Sequence, residues 1–136
     1  MTRKLTCAIA FLLVVGSVAC WSSEGTEDDT SAQDMYVGVW KTATGHYVIH
    51  GEDGTWKVGF TLESAESSPF TWGANTFDGA TMTSVTDEES QVCAGVTAVF
   101  EIAFEDGGNV VTATPIDDPC ASVRGSDTSR STRYVP

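Results

Sequence analysis

Val96-Thr97-Ala98-Val99-Phe100-Glu101-Ile102-Ala103-Phe104-Glu105-Asp106-Gly107-Gly108-Asn109-Val110-Val111-Thr112-Ala113-Thr114 is the stretch that decides the fold. β-branched and aromatic residues fill two runs, and Asp106-Gly107 between them is a strong hairpin signal. With Asp106 and Gly107 as the two central turn residues, opposed positions have numbers summing to 213, as those of Cys93 and Cys120 do. Directly opposed residues lie about 4.5 to 5.5 Å apart at Cα, a separation that a disulfide tolerates. The spacing predicts a Cys93–Cys120 bridge locking the open end of the hairpin. In the chain-entropy model such a bridge contributes roughly 3 to 4 kcal/mol.

Outward from this hairpin the same grammar repeats. Residues 35–41 read as a first strand and 45–51 as a second. Glu52-Asp53-Gly54 turns the chain into Trp56, Val58, Phe60 and Leu62, which alternate with Lys57, Gly59 and Thr61. A polar loop over 63–68 leads to a fourth strand containing Phe70, Trp72 and Phe77, and Asp78-Gly79 turns it into 80–86. The hairpin supplies strands six and seven, and 131–135 an eighth. No helical period is visible. Short strands joined by Asp-Gly turns predict an all-β, antiparallel domain, a barrel or a sandwich. Closure into an up-and-down barrel of about eight strands removes exposed edges. Inward candidates are Trp40, Tyr47, Ile49, Trp56, Val58, Phe60, Leu62, Phe100, Ile102 and Phe104.

The N-terminal quarter reads differently. Arg3 and Lys4 precede a largely apolar run over 5–15, and Gly16-Ser17-Val18-Ala19 is a small-residue tail before Cys20. That layout is a secretory signal over 1–19, and its apolar run is too short to span a bilayer. Residues 22–34 carry five acids, no base and no apolar periodicity. Such a segment buries too little surface to fold, so 20–34 is expected to be a disordered acidic tether and 35–136 the folded domain. Of the four cysteines, Cys7 leaves with the signal, and Cys93 and Cys120 remain for pairing in an oxidising compartment.

Two resemblances rest on these residues. Ser17-Val18-Ala19-Cys20 resembles the lipobox of bacterial lipoproteins, although Ser17 stands where that pattern usually has Leu, Val or Ile. The resemblance implies lipidation of Cys20 and anchorage to a membrane of the cell envelope. Small residues at Ser17 and Ala19 also fit ordinary signal cleavage, which would release a soluble secreted protein. Gly38-x-Trp40 on the first strand resembles the N-terminal signature of lipocalins (calycins), in which the Trp closes the barrel floor and a late Arg packs across it. Arg133 is the better match for that Arg and Arg124 the rival. The sequence of Asp-Gly turns followed by two cysteines is similar to that of small bacterial lipocalin-like lipoproteins. The resemblance covers about 35–136, a stretch shorter than typical lipocalins and without their flanking helix.

Charge excludes some functions. The whole chain carries −12; without Arg3 and Lys4 the mature part has five bases against nineteen acids, or −14. Nucleic-acid binding needs clustered Lys and Arg, so no nucleic-acid partner is expected. Catalytic patterns are also missing: the chain has no Gly-x-Ser-x-Gly, phosphate loop or zinc motif. Gln91-Val92-Cys93-Ala94-Gly95 has the form of a caspase nucleophile motif with His46 upstream. Those enzymes, however, are larger α/β proteins of reducing compartments, and Cys93 has a partner. His46 and His50 lie about 13 Å apart along a strand, too far to share a metal. They are out of phase with Tyr47 and Ile49 and so are expected to face solvent. The acidic groups at 87–89, 105–106 and 117–118 lack calcium-loop spacing.

The expectation is therefore a non-enzymatic, monomeric, lipid-anchored binding protein with no cofactor and no metal. It takes a small, largely apolar ligand lined by Tyr47, Trp56, Phe60, Phe100 and Phe104. The alternative is a structural or protein-interaction lipoprotein with a filled core. Eight strands enclose just enough space for either outcome, so cavity size separates them.

Overall fold

The computed structural model describes residues 30–136. The expected signal over 1–19, the lipidation site Cys20 and most of the acidic tether lie outside those residues. Eight antiparallel strands close into a barrel in chain order, each paired with its neighbour and β1 with β8. They are β1 Gly38–Thr42, β2 Tyr47–His50, β3 Thr55–Gly59, β4 Thr71–Asp78, β5 Thr81–Thr86, β6 Thr97–Glu105, β7 Val110–Asp117 and β8 Ser129–Arg133. Three short helices accompany them: α1 Ala32–Tyr36, α2 Leu62–Ser67 and α3 Ala121–Arg124. The all-β barrel expectation holds, and the closed ring decides against a sandwich.

The helices correct three details of the sequence reading. The first strand begins at Gly38 rather than at residue 35, because 32–36 coil into α1. Ser31 caps this helix by accepting from the Asp34 amide. Residues 32–34, read as tether, thus belong to the fold. The loop expected over 63–68 is α2, started by a reciprocal capping box between Thr61 and Ser64. Leu62 consequently opens a helix that packs against β2 and β3, and is not an inward strand residue.

The hairpin register also differs. Glu105 pairs with Val110 and Phe104 with Val111, so paired numbers sum to 215 instead of 213. Four residues turn the chain, since Asp106 and Gly107 both take positive φ and a 3-10 turn covers Asp106–Gly108. A slip of two leaves the side chains from Phe100 to Pro115 on their expected faces, the register shifting once more between Val99 and Phe100, and Phe100 and Ile102 are buried inside. The disulfide Cys93–Cys120 is present, with Cα atoms 6.0 Å apart. It joins two loops, the one before β6 and the one leading into α3, rather than directly opposed strand residues.

One end of the barrel is closed and carries the core. Tyr36, at the end of α1, is buried among Trp40, Phe77 and Phe104, with ring centroids 5.6 to 6.0 Å away. Trp40 is 1% exposed, and its indole Nε1 donates to the Tyr36 carbonyl at 2.7 Å. The Arg133 guanidinium lies 4.3 Å from the Trp40 ring centroid. It donates to the carbonyls of Met35 at 2.6 Å and Val37 at 2.9 Å, and to that of Gly108 at 3.2 Å. Arg133 therefore fastens α1, the β6–β7 turn and β1 together at the floor. Gly38 makes room for it: φ is +126°, and a Cβ there would lie 2.9 Å from Arg133 Nη1. Arg124 sits at the opposite end, beside the disulfide.

Candidate functional site

Above the floor the barrel is hollow. A cavity of about 620 Å³ opens at the end away from α1, within the size range of small-molecule sites. Its lower part is bounded by Tyr36, Trp40, His50 and Asn75, and its walls by Val48, Trp56, Val58, Met82 and Phe100. At the mouth, Phe60 and Phe70 stack at 4.6 Å, and His46 meets both edge-on at 5.2 and 5.7 Å. Phe60 is 68% and Val123 66% exposed, which leaves an apolar rim open to solvent. The disulfide also borders the mouth, with Cys93 in the lining.

The predicted lining residues divide. Trp56 and Phe100 stand in the wall and Phe60 at the entrance. Phe104 belongs to the floor packing beneath Tyr36 and Trp40. Tyr47 and Ile49 are corrections: β2 has the opposite phase, with His46, Val48 and His50 turned inward. Tyr47 instead meets Tyr134 edge-on at 5.2 Å, and Lys41 Nζ lies 5.4 Å from its ring. Ile49 faces outward beside Lys57 and Glu66. An outer sheet face with its own small aromatic cluster thus mimics a core-facing pattern.

The inward turn of His50 has an electrostatic consequence. Its ring lies 4.1 Å from that of Tyr36, tilted by 56°, and burial pushes its pKa down to about 3. Burial likewise pushes the Tyr36 phenol up to about 12. Both are therefore neutral at physiological pH. His50 Nδ1 is 3.4 Å from the Asn75 amide nitrogen. The Asn75 Oδ1 and Trp56 Nε1 atoms are buried without a hydrogen-bond partner. At the mouth, Arg124 Nη2 donates to Thr86 Oγ1 at 3.2 Å, and its Nε lies 3.9 Å from the buried Asp118 carboxylate.

Asn75, Ser84 and His50 carry no sequence signal for this role, because alternation assigns polar residues to solvent. Tyr36 escapes for another reason: it falls inside the stretch read as the first strand, whereas α1 is what carries it into the floor. Among the described residues no cluster of His, Cys, Asp or Glu could hold a metal, and none of the helices is long and apolar enough to cross a membrane. The disulfide points to an oxidising, exported environment. The chain significantly matches no protein-family model, no curated protein and no solved structure, so the barrel and its cavity stand on this chain's own residues.

Proposed function

We propose that this protein is a lipocalin-like lipoprotein of a bacterial envelope that holds a small, largely apolar ligand inside its barrel. The observation that carries the reading is the cavity of about 620 Å³ with aromatic walls and an open, apolar mouth. A filled barrel serving only to present loops would lack such a space. The arrangement of Trp40, Arg133 and Gly38 at the floor supports the lipocalin resemblance.

The signal and lipobox-like residues at 1–20 support export and acylation of Cys20. The described chain enters at the closed end, where Thr30 to Gln33 lie beside Phe77, Gly79 and Ala80. A lipid on Cys20 then holds the barrel by its floor and leaves the mouth free. Native mass spectrometry of full-length protein extracted from its own host tests both parts. A co-purifying small molecule and a diacyl- or triacyl-cysteine N-terminus are expected. A ligand-free protein that also fails to take up an uncharged fluorescent probe refutes the binding role, and an unmodified N-terminus refutes the anchor.

A further inference from the structure

The lower half of the cavity carries a band of polar groups fixed by strand register. His50 pairs with Trp56 across β2 and β3, and Trp56 with Gly73 across β3 and β4. Asn75, two residues on from Gly73 and on the same face, pairs with Ser84 across β4 and β5. Trp56 and Asn75 are thus diagonal neighbours, about 7–8 Å apart at the backbone, and both line the cavity. Gly73 lets the indole lie flat against β4: a Cβ there would be 2.8 Å from Trp56 Cζ2.

Two atoms in this band have unmet hydrogen-bonding capacity: Trp56 Nε1 is a donor, and Asn75 Oδ1 an acceptor. Trp56 is 8% and Asn75 7% exposed, so both side chains are more than nine-tenths buried. A buried polar atom left without a partner destabilises the site, and a ligand that satisfies both atoms relieves that penalty. The electrostatics select against charge. Among the described residues Arg124 is the one Lys or Arg in the lining, and the Asp118 carboxylate lies 3.9 Å from it at the mouth. The Arg133 guanidinium at the floor is taken up by three backbone carbonyls and does not line the cavity, and the acidic chain repels anions at long range.

We infer that the cavity floor receives the uncharged head group of an amphipathic ligand, a hydroxyl that accepts from Trp56 Nε1 and donates to Asn75 Oδ1. Its hydrocarbon tail runs past Val58 and Phe100 to the Phe60–Phe70 pair. This inference rests on the binding role proposed above and specifies its ligand class.

Competition against N-phenyl-1-naphthylamine, an uncharged fluorescent probe, tests it on the full-length protein. Three competitors with a ten-carbon chain separate the chemistries: 1-decanol donates and accepts, decyl methyl ether only accepts, and decanoate is an anion. The alcohol is expected to bind about ten-fold more tightly than the ether and the anion, as a site built around a hydroxyl discriminates against analogues lacking it. Asn75→Leu should abolish the preference for alcohol over ether while retaining the probe. Trp56→Phe should weaken alcohol and ether together, and it keeps the test alive if Asn75→Leu does not fold. Equal binding of alcohol and ether to the wild type, or tighter binding of decanoate, overturns the inference and leaves a binding role standing. Failure of the wild type to bind the probe or any decyl compound overturns the binding role, and the inference with it.

Discussion

Replacing Arg133 by Met removes the guanidinium but keeps most of the aliphatic stem. The floor then loses donors to three backbone carbonyls, those of Met35, Val37 and Gly108. Hydrogen bonds from a charged donor contribute about 1.5–3 kcal/mol each, and the contact over Trp40 adds about 1 kcal/mol. Arg133 is only half-buried, so water re-solvates part of what is exposed, and the lower end of each range applies. The expected destabilisation is about 5 kcal/mol, a large share of the stability of a domain this size. The single turn of α1 is too short to persist alone, so it should detach and uncover Tyr36. Urea unfolding followed by tryptophan emission measures the loss, and limited proteolysis near residue 35 reports the detachment. Arg133→Lys, which keeps the charge but has no fork to reach three carbonyls, should recover less than half. An Arg133→Met protein within 1 kcal/mol of wild type, with α1 still protected, would show that the floor does not depend on this residue.

Other perturbations follow from the same geometry. His50 has a folded-state pKa of about 3, below its unfolded value, so the unfolded chain binds a proton that the native chain refuses. Stability contributed by neutral His50 is intact above about pH 6.5 and falls as pH drops towards 3, by about 3 kcal/mol at pH 4.5. His50→Leu should flatten that part of the profile in urea titrations, and an unchanged difference between pH 7 and 4.5 would contradict the burial argument. Reducing Cys93–Cys120, separated by 27 residues, should lower stability by about 3.5 kcal/mol. It should also loosen the mouth before the floor, as seen in faster amide exchange around residues 91–95 and 120–124. Gly38→Val should cost about 3 kcal/mol, since it combines a strained backbone with a clash against Arg133; a neutral effect in thermal unfolding would count against the close approach.

Much of this architecture is written locally. The Asp-Gly turns mark the hairpins, and alternation on β3 and β6 marks which residues face in. Trp40 and Arg133, far apart in sequence, end up as paired neighbours on β1 and β8. What escapes is whatever depends on the other side of the sheet. Tyr47 and Ile49 are more apolar than His46 and His50, yet they lie outside because Tyr134 and α2 give that face its own cover. The turn at Asp106 takes four residues because Asp106 itself adopts positive φ, which an aspartate tolerates but does not announce. The capping box of α2 uses Ser64 where Glu or Gln is the usual partner, and six residues leave little room for a helical period. Asn75 looks like any solvent-facing strand residue until the ring closes around it.

Seven of the eight strand pairings join immediate successors along the chain, and the eighth joins Trp40 to Arg133, 93 positions away. A nascent or translocating polypeptide can therefore zip up as a meandering ribbon, but the seam waits for the last strand to emerge. Until then β1 and β7 both expose raw edges, which invite pairing with other copies. Export thus has a vulnerable interval set by topology alone, ended when the two outermost strands find each other.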